Sequence, residues 1–154
     1  LDPVVPKVKQ GLRTQFSFKI NSSFTLRSRV ELSWFDKKGN NPQNGFLMFT
    51  DILYKPLLKP VSGNIRFQYF ETDGYDSRLY AYENDVLYGY SIPVFFDKGY
   101  RYYFNIKYDI NKDLSFWGRI AQTIYPDKSS SGTGLDMSKR NIKSELTLQL
   151  LWAF

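Results

Sequence analysis

Apolar and polar residues alternate with a period of two along most of the chain, the signature of strands with two unlike faces. Leu12, Thr14, Phe16, Phe18 and Ile20 share one face while Arg13, Gln15, Ser17 and Lys19 share the other. After an Asn21-Ser22-Ser23 turn, Phe24, Leu26, Val30, Leu32 and Trp34 oppose Thr25, Arg27, Arg29, Glu31 and Ser33. A polar loop from Asp36 to Asn44 precedes a more apolar run with Phe46, Met48, Ile52 and Tyr54 against Asp51. Beyond a turn bracketed by Pro56 and Pro60, Ile65, Phe67 and Tyr69 alternate with Asn64, Arg66 and Gln68. The pattern is sharpest from Tyr100 to Ile110, which an Asn111-Lys112-Asp113 turn joins to Leu114, Phe116, Ile120 and Ile124. After a Ser- and Gly-rich loop from Pro126 to Arg140, Ile142, Leu146, Leu148, Leu150, Trp152 and Phe154 face away from Lys143, Glu145, Thr147 and Gln149. The tyrosine-rich stretch from Arg78 to Phe95 reads equally as one long strand or two short ones. The chain is therefore predicted to be all-β: an antiparallel up-and-down wall of eight or nine strands over residues 11–154, with residues 1–10 an N-terminal extension or the start of a fragment.

Alternation alone fits two architectures. A transmembrane β-barrel turns its apolar face to lipid, whereas a soluble β-barrel carrying a small apolar ligand turns it inward. Three features favour the membrane. Several strands alternate for about 10 residues, the length that a tilted strand needs to cross the hydrocarbon layer. Trp34, Tyr54, Tyr100, Tyr102, Tyr108, Tyr125 and Trp152 fall at strand ends, as in interfacial aromatic belts. The sequence closes on an amphipathic strand without a polar tail.

That closing strand, with Leu148, Leu150, Trp152 and Phe154 on its apolar face, resembles the C-terminal recognition strand of bacterial outer-membrane barrels. The resemblance implies an outer-membrane location and handling by the outer-membrane assembly machinery. The stretches Thr72–Asp85 and Arg119–Tyr125 are similar to the C-terminal barrel region of large Bacteroidota outer-membrane proteins. This second resemblance implies the end of a longer barrel protein, with no defined activity, and it assigns no catalytic residue.

Composition narrows the chemistry. Aromatics form 18% of the chain, which suits strands and membrane interfaces alike. With no Cys and no His there are no disulfides, thiolate sites or histidine-based nucleophilic systems. An enzyme is not expected, and no catalytic, cofactor or metal site is assigned. The formal net charge of +6 allows an anionic partner. With the apolar face on lipid, the candidate lumen-facing basic residues are Arg13, Lys19, Arg27, Arg29, Arg66, Arg101, Lys107, Arg119 and Lys143, beside the acidic Glu31, Asp51, Asp109 and Glu145. They admit two readings, a cationic lumen that favours anions or a filled interior in which the charges pair with one another and with Gln and Tyr.

Asp73, Asp76, Glu83 and Asp85 are oxygen donors suited to calcium, but their spacing is not that of an EF-hand, and a solvated acidic loop is expected. The run from Ser129 to Gly134 lacks the Gly-Lys-Ser/Thr ending of a phosphate loop and reads as an extramembrane loop. Nucleic acid is not an expected partner, because basic and aromatic residues fall on opposite faces. The expected partners are the lipid bilayer, the assembly machinery and other subunits of an outer-membrane complex. Long loops, the one containing Ser130 among them, should face outside, and short turns the periplasm. The apolar face generates a first prediction: the protein aggregates without detergent, and a monodisperse species in plain buffer, read by light scattering, would contradict the membrane expectation.

Overall fold

The computed structural model describes residues 7–128 and 141–153. Seven long strands form one antiparallel sheet: β1 (Lys9–Lys19), β2 (Phe24–Phe35), β3 (Gln43–Tyr54), β4 (Val61–Thr72), β7 (Lys98–Asp109), β8 (Leu114–Ile124) and β9 (Ile142–Trp152). Their order in the sheet is their order in the chain. Two two-residue strands, β5 (Leu79–Tyr80) and β6 (Val94–Phe95), pair only with each other.

The alternation survives because the turns hold the register. In two hairpins an asparagine does this. Asn21 Oδ1 accepts from the Ser23 and Phe24 amides at 2.8 and 2.9 Å, and Asn111 Oδ1 does the same for Asp113 and Leu114. Such side-chain bonds mimic a backbone turn. Each ladder then runs unbroken, so Arg13 sits opposite Glu31, Arg27 opposite Asp51 and Asp51 opposite Arg66.

One expectation needs correcting. The Arg78–Phe95 stretch holds two short strands, one of the two alternatives, but they pair with each other and add nothing to the long sheet, which has seven strands rather than eight or nine. Its tyrosines alternate as in a strand, but the segment folds across the sheet instead of pairing with its edge. Among the described residues β1 pairs with β2 alone and β9 with β8 alone, so these strands form an open sheet and no closed barrel. The connections are strongly unequal at the two ends. Residues 20–23, 55–60 and 110–113 close short turns at one end, while 36–42, 73–97 and 125–141 leave from the other. With no strand of the sheet between β4 and β7, the turns at Asn21 and Asn111 share an end.

The two faces differ sharply. On one, Phe18, Phe67, Phe104, Leu146 and Leu148 are exposed, Phe18 and Leu148 by 63% each. Aromatic rows edge this face. At the short-turn end Phe24 packs on Tyr54 at 4.8 Å, with Tyr108 and Trp152 beyond. At the other end Tyr69 lies between Phe46 at 6.1 Å and Tyr100 at 5.2 Å. The opposite face holds the charges, and over β2 to β8 it is covered by residues 73–97, whereas β1 is exposed at every position.

Beneath that cover lies a small apolar core of Leu47, Phe49, Phe70, Leu79, Ala81 and Phe95, with Tyr125 packed against it. Gly99 opens the space for the Phe70 ring: a Cβ there would stand 2.6 Å from Phe70 Cζ and 2.8 Å from the Ile124 carbonyl oxygen. Phe70 in turn packs on Phe95 at 5.0 Å and Tyr125 at 5.9 Å. Gly99→Val is therefore expected to destabilise the protein by about 1–3 kcal/mol, the usual cost of overpacking, measurable by urea unfolding in detergent.

Candidate functional site

Residues 73–97 reach the charged face in steps. Asp73 accepts from the Asn44 backbone and side-chain amides at 2.8 and 2.9 Å. Ser33 Oγ then donates to the Ser77 carbonyl at 2.6 Å. This approach is close because position 45 is glycine; a Cβ there would stand 2.4 Å from both Ser33 Oγ and the Ser77 carbonyl. From Ser77 the chain runs extended, so Ser77, Leu79, Ala81 and Glu83 point inward and are buried, while Tyr80 and Tyr82 point out. A turn closes at Gly89, whose amide bonds the Val86 carbonyl at 2.9 Å, and the Glu83 amide bonds the Ser91 carbonyl at 3.0 Å on the return.

The tip of this segment meets three arginines from three successive strands. Arg66 on β4 makes a bidentate pair with Asp51 at 2.5 and 2.7 Å and donates to the Tyr82 carbonyl at 2.7 Å. Its guanidinium lies 3.6 Å from the centre of the Phe49 ring. Arg101 on β7 holds both carboxylate oxygens of Glu83 at 2.6 and 2.8 Å, and also bonds Thr123 Oγ1 at 2.7 Å. Arg119 on β8 grips the same Glu83 carboxylate. Glu145 on β9 reaches Arg101 at 3.0 Å and Arg119 at 3.6 Å.

Glu83 is 0% exposed and Arg66 1% exposed. Desolvating such charges is costly unless each is paired and hydrogen-bonded, and these are. Tyr103 joins the sheet to the segment by accepting from Asn64 Nδ2 and from the Asn84 amide, each at 3.1 Å. At the rim, past β8, burial pushes the Tyr125 phenol above its ordinary pKa.

All the expected basic residues lie on this one face, but they are not one cluster. Arg66, Arg101 and Arg119 converge on the covered centre. Arg13 pairs with Glu31 at 2.8 Å at the uncovered side, where Arg29 bonds Gln15 at 2.8 and 3.0 Å. Arg27 stands 3.9 Å from Asp51, and Lys143 3.7 Å from Glu145. Lys107 bonds Asp109 at 2.8 Å and overlies the Trp117 ring. Of the expected assembly signal, Leu148, Leu150 and Trp152 are on the opposite, exposed face, and Phe154 lies outside the described residues.

The acidic loop expectation is overturned for Glu83. It is not solvated but is the central anion of the site. The four acids considered for calcium do not assemble, since no group of acidic residues able to hold a metal is present among the described residues. A sequence signal for Glu83 did exist: Leu79, Ala81 and Glu83 continue one period-two face. The run Ser129–Gly134 lies outside the described residues. No family model, curated protein or solved structure matches the chain.

Two predictions follow from this geometry. Asp51→Ala leaves the Arg66 charge buried without its main partner and is expected to cost about 3–5 kcal/mol. The double change Asp51→Leu with Arg66→Met should recover most of that loss, as unfolding titrations in detergent would show. Gly45→Leu, by colliding with Ser77, should loosen residues 73–97 without altering any charge. Hydrogen exchange would then rise selectively at Leu79–Glu83, and uniform exchange across β3 would contradict this.

Proposed function

We propose that the chain is part of the wall of a transmembrane β-barrel in the bacterial outer membrane, with a structural or transport role, and that residues 73–97 form a plug on its lumen side. The observation that carries this reading is the inverted distribution of polarity. Charged side chains such as Glu83, Asp51, Arg66 and Arg101 are buried, while Leu, Phe and Ile cover a broad exposed face. Leaving each such apolar side chain in water forgoes about 1.5–3 kcal/mol, so a face this broad needs an apolar surrounding.

Lipid supplies that surrounding, and the aromatic rows at both edges suit the two interfaces. The unequal connections agree, with the three short turns on the periplasmic side and the longer loops outside. Outer-membrane assembly factors and further subunits of the same complex are the partners this reading implies. A soluble carrier of an apolar ligand would need the apolar face enclosed, and here the covered face is the charged one.

Single-tryptophan variants reconstituted into vesicles of brominated lipid test the reading. Trp34 and Trp152 should be quenched from the bilayer, and Trp117, on the charged face, should not. Equal quenching of all three, or none, would overturn it.

A further inference from the structure

We infer that Arg101 and Arg119 form an anion-binding site that Glu83 fills as a tethered internal ligand, so that small solutes bearing a carboxylate or phosphate compete with the plug for this face. The placement of the site in a lumen rests on the membrane-wall reading; the site itself does not.

Three observations carry the inference. First, the cradle has the geometry of anion recognition. Two guanidinium groups on neighbouring strands converge on one carboxylate, Arg101 through parallel bonds at 2.6 and 2.8 Å, and Thr123 steadies Arg101 at 2.7 Å. Planar bidentate pairing serves carboxylate and phosphate equally. Second, the cradle has spare capacity: Arg119 is 4% exposed, yet its Nε makes no hydrogen bond. Third, the plug is separable from the sheet it covers. Thr72 and Asp97 bond each other twice at 2.8 Å, and the β4–β7 ladder is complete up to Glu71 and Lys98 without any residue of the plug.

Charge decides what replaces the plug. When it leaves, Glu83 and Asp85 go with it, Asp85 being 3.8 Å from Arg119. Arg101 and Arg119 then face only Glu145 at 3.0 and 3.6 Å, and the cluster becomes net cationic.

The test replaces residues 73–96 by Asn-Gly, which closes a two-residue hairpin between Thr72 and Asp97. Inorganic phosphate is titrated calorimetrically, at constant ionic strength in detergent, into the intact chain and the hairpin variant. The hairpin variant should bind phosphate at least ten-fold more tightly, and Arg101→Gln with Arg119→Gln in that background should abolish the gain. No gain in a variant that keeps its strand circular dichroism, or a gain that survives the two Gln changes, overturns the inference. Should the hairpin variant not fold, Glu83→Gln in the intact chain takes its place: a several-fold gain in phosphate affinity is expected, and unchanged affinity overturns the inference. Phosphate binding in detergent is independent of brominated-lipid quenching, so a gain without quenching rejects only the membrane wall, and quenching without a gain rejects only this site.

Discussion

One carboxylate organises the covered face. Glu83 arrives on a segment with almost no regular structure of its own, and it bridges two arginines that would otherwise be buried beside each other, with Glu145 supplying the second negative charge. Like charges held this close in a desolvated setting repel, and neither could stay buried without the shared anion. The energetic gain of such a pair over an apolar replacement is small or negative, so stability alone does not explain it. What the cluster provides is position. A leucine at 83 would tolerate several depths of insertion, but two fixed guanidinium forks accept a carboxylate in only one.

That constraint propagates outward. With Glu83 fixed, Leu79 and Ala81 fall by the two-residue period onto Leu47, Phe49 and Phe70, which makes a small apolar core on an otherwise charged face. Phe70 reaches that core because Gly99 opposite it has no side chain, and the segment crosses β3 closely because Gly45 has none. Arg66 belongs to the same arrangement. Its pair with Asp51 lies within the sheet, but its Nη1 donates to the Tyr82 carbonyl, one residue before the carboxylate. The sheet and its cover are thus matched in register as two strands would be, through side chains rather than a ladder.

How far this was legible in the sequence divides along the same line. Most of the long strands announce themselves by a repeating period of two, and turns such as Asn21-Ser22-Ser23 punctuate them. The facing of Arg13, Arg66, Arg101 and Arg119 follows from the same period. The path of Arg78–Phe95 does not, because alternation states that a segment has two faces and not what those faces meet. Tyr80 and Tyr82 against Leu79 and Ala81 suit an edge strand and a cover equally well. Glu83 was readable as an inward position, but its partners sit 18 and 36 residues further along the chain, and only the fold brings them to it. The mutual pairing of charges was foreseeable in kind, since buried ions need counter-ions, while the identity of the counter-ion was not.

The edges of the sheet pose a geometric question that the strand count itself answers. Successive strands alternate in direction, so in a sheet of seven the first and the last, β1 and β9, run the same way. Joining them directly would make one parallel pair in an otherwise antiparallel wall. A wall that stays antiparallel throughout needs an odd number of strands between β9 and β1, which brings the total to the even number common in single-chain bacterial barrels. The exposure pattern is consistent with such a continuation: β1 is exposed on both faces, and its apolar residues Leu12, Phe16 and Phe18 continue the surface of the central strands without a polar border. In hydrocarbon, each outward-pointing backbone N–H or C=O along such an edge would lack a partner at a cost of several kcal/mol. Residues 73–97 show the same asymmetry, covering β2 to β8 and leaving the polar face of β1 bare.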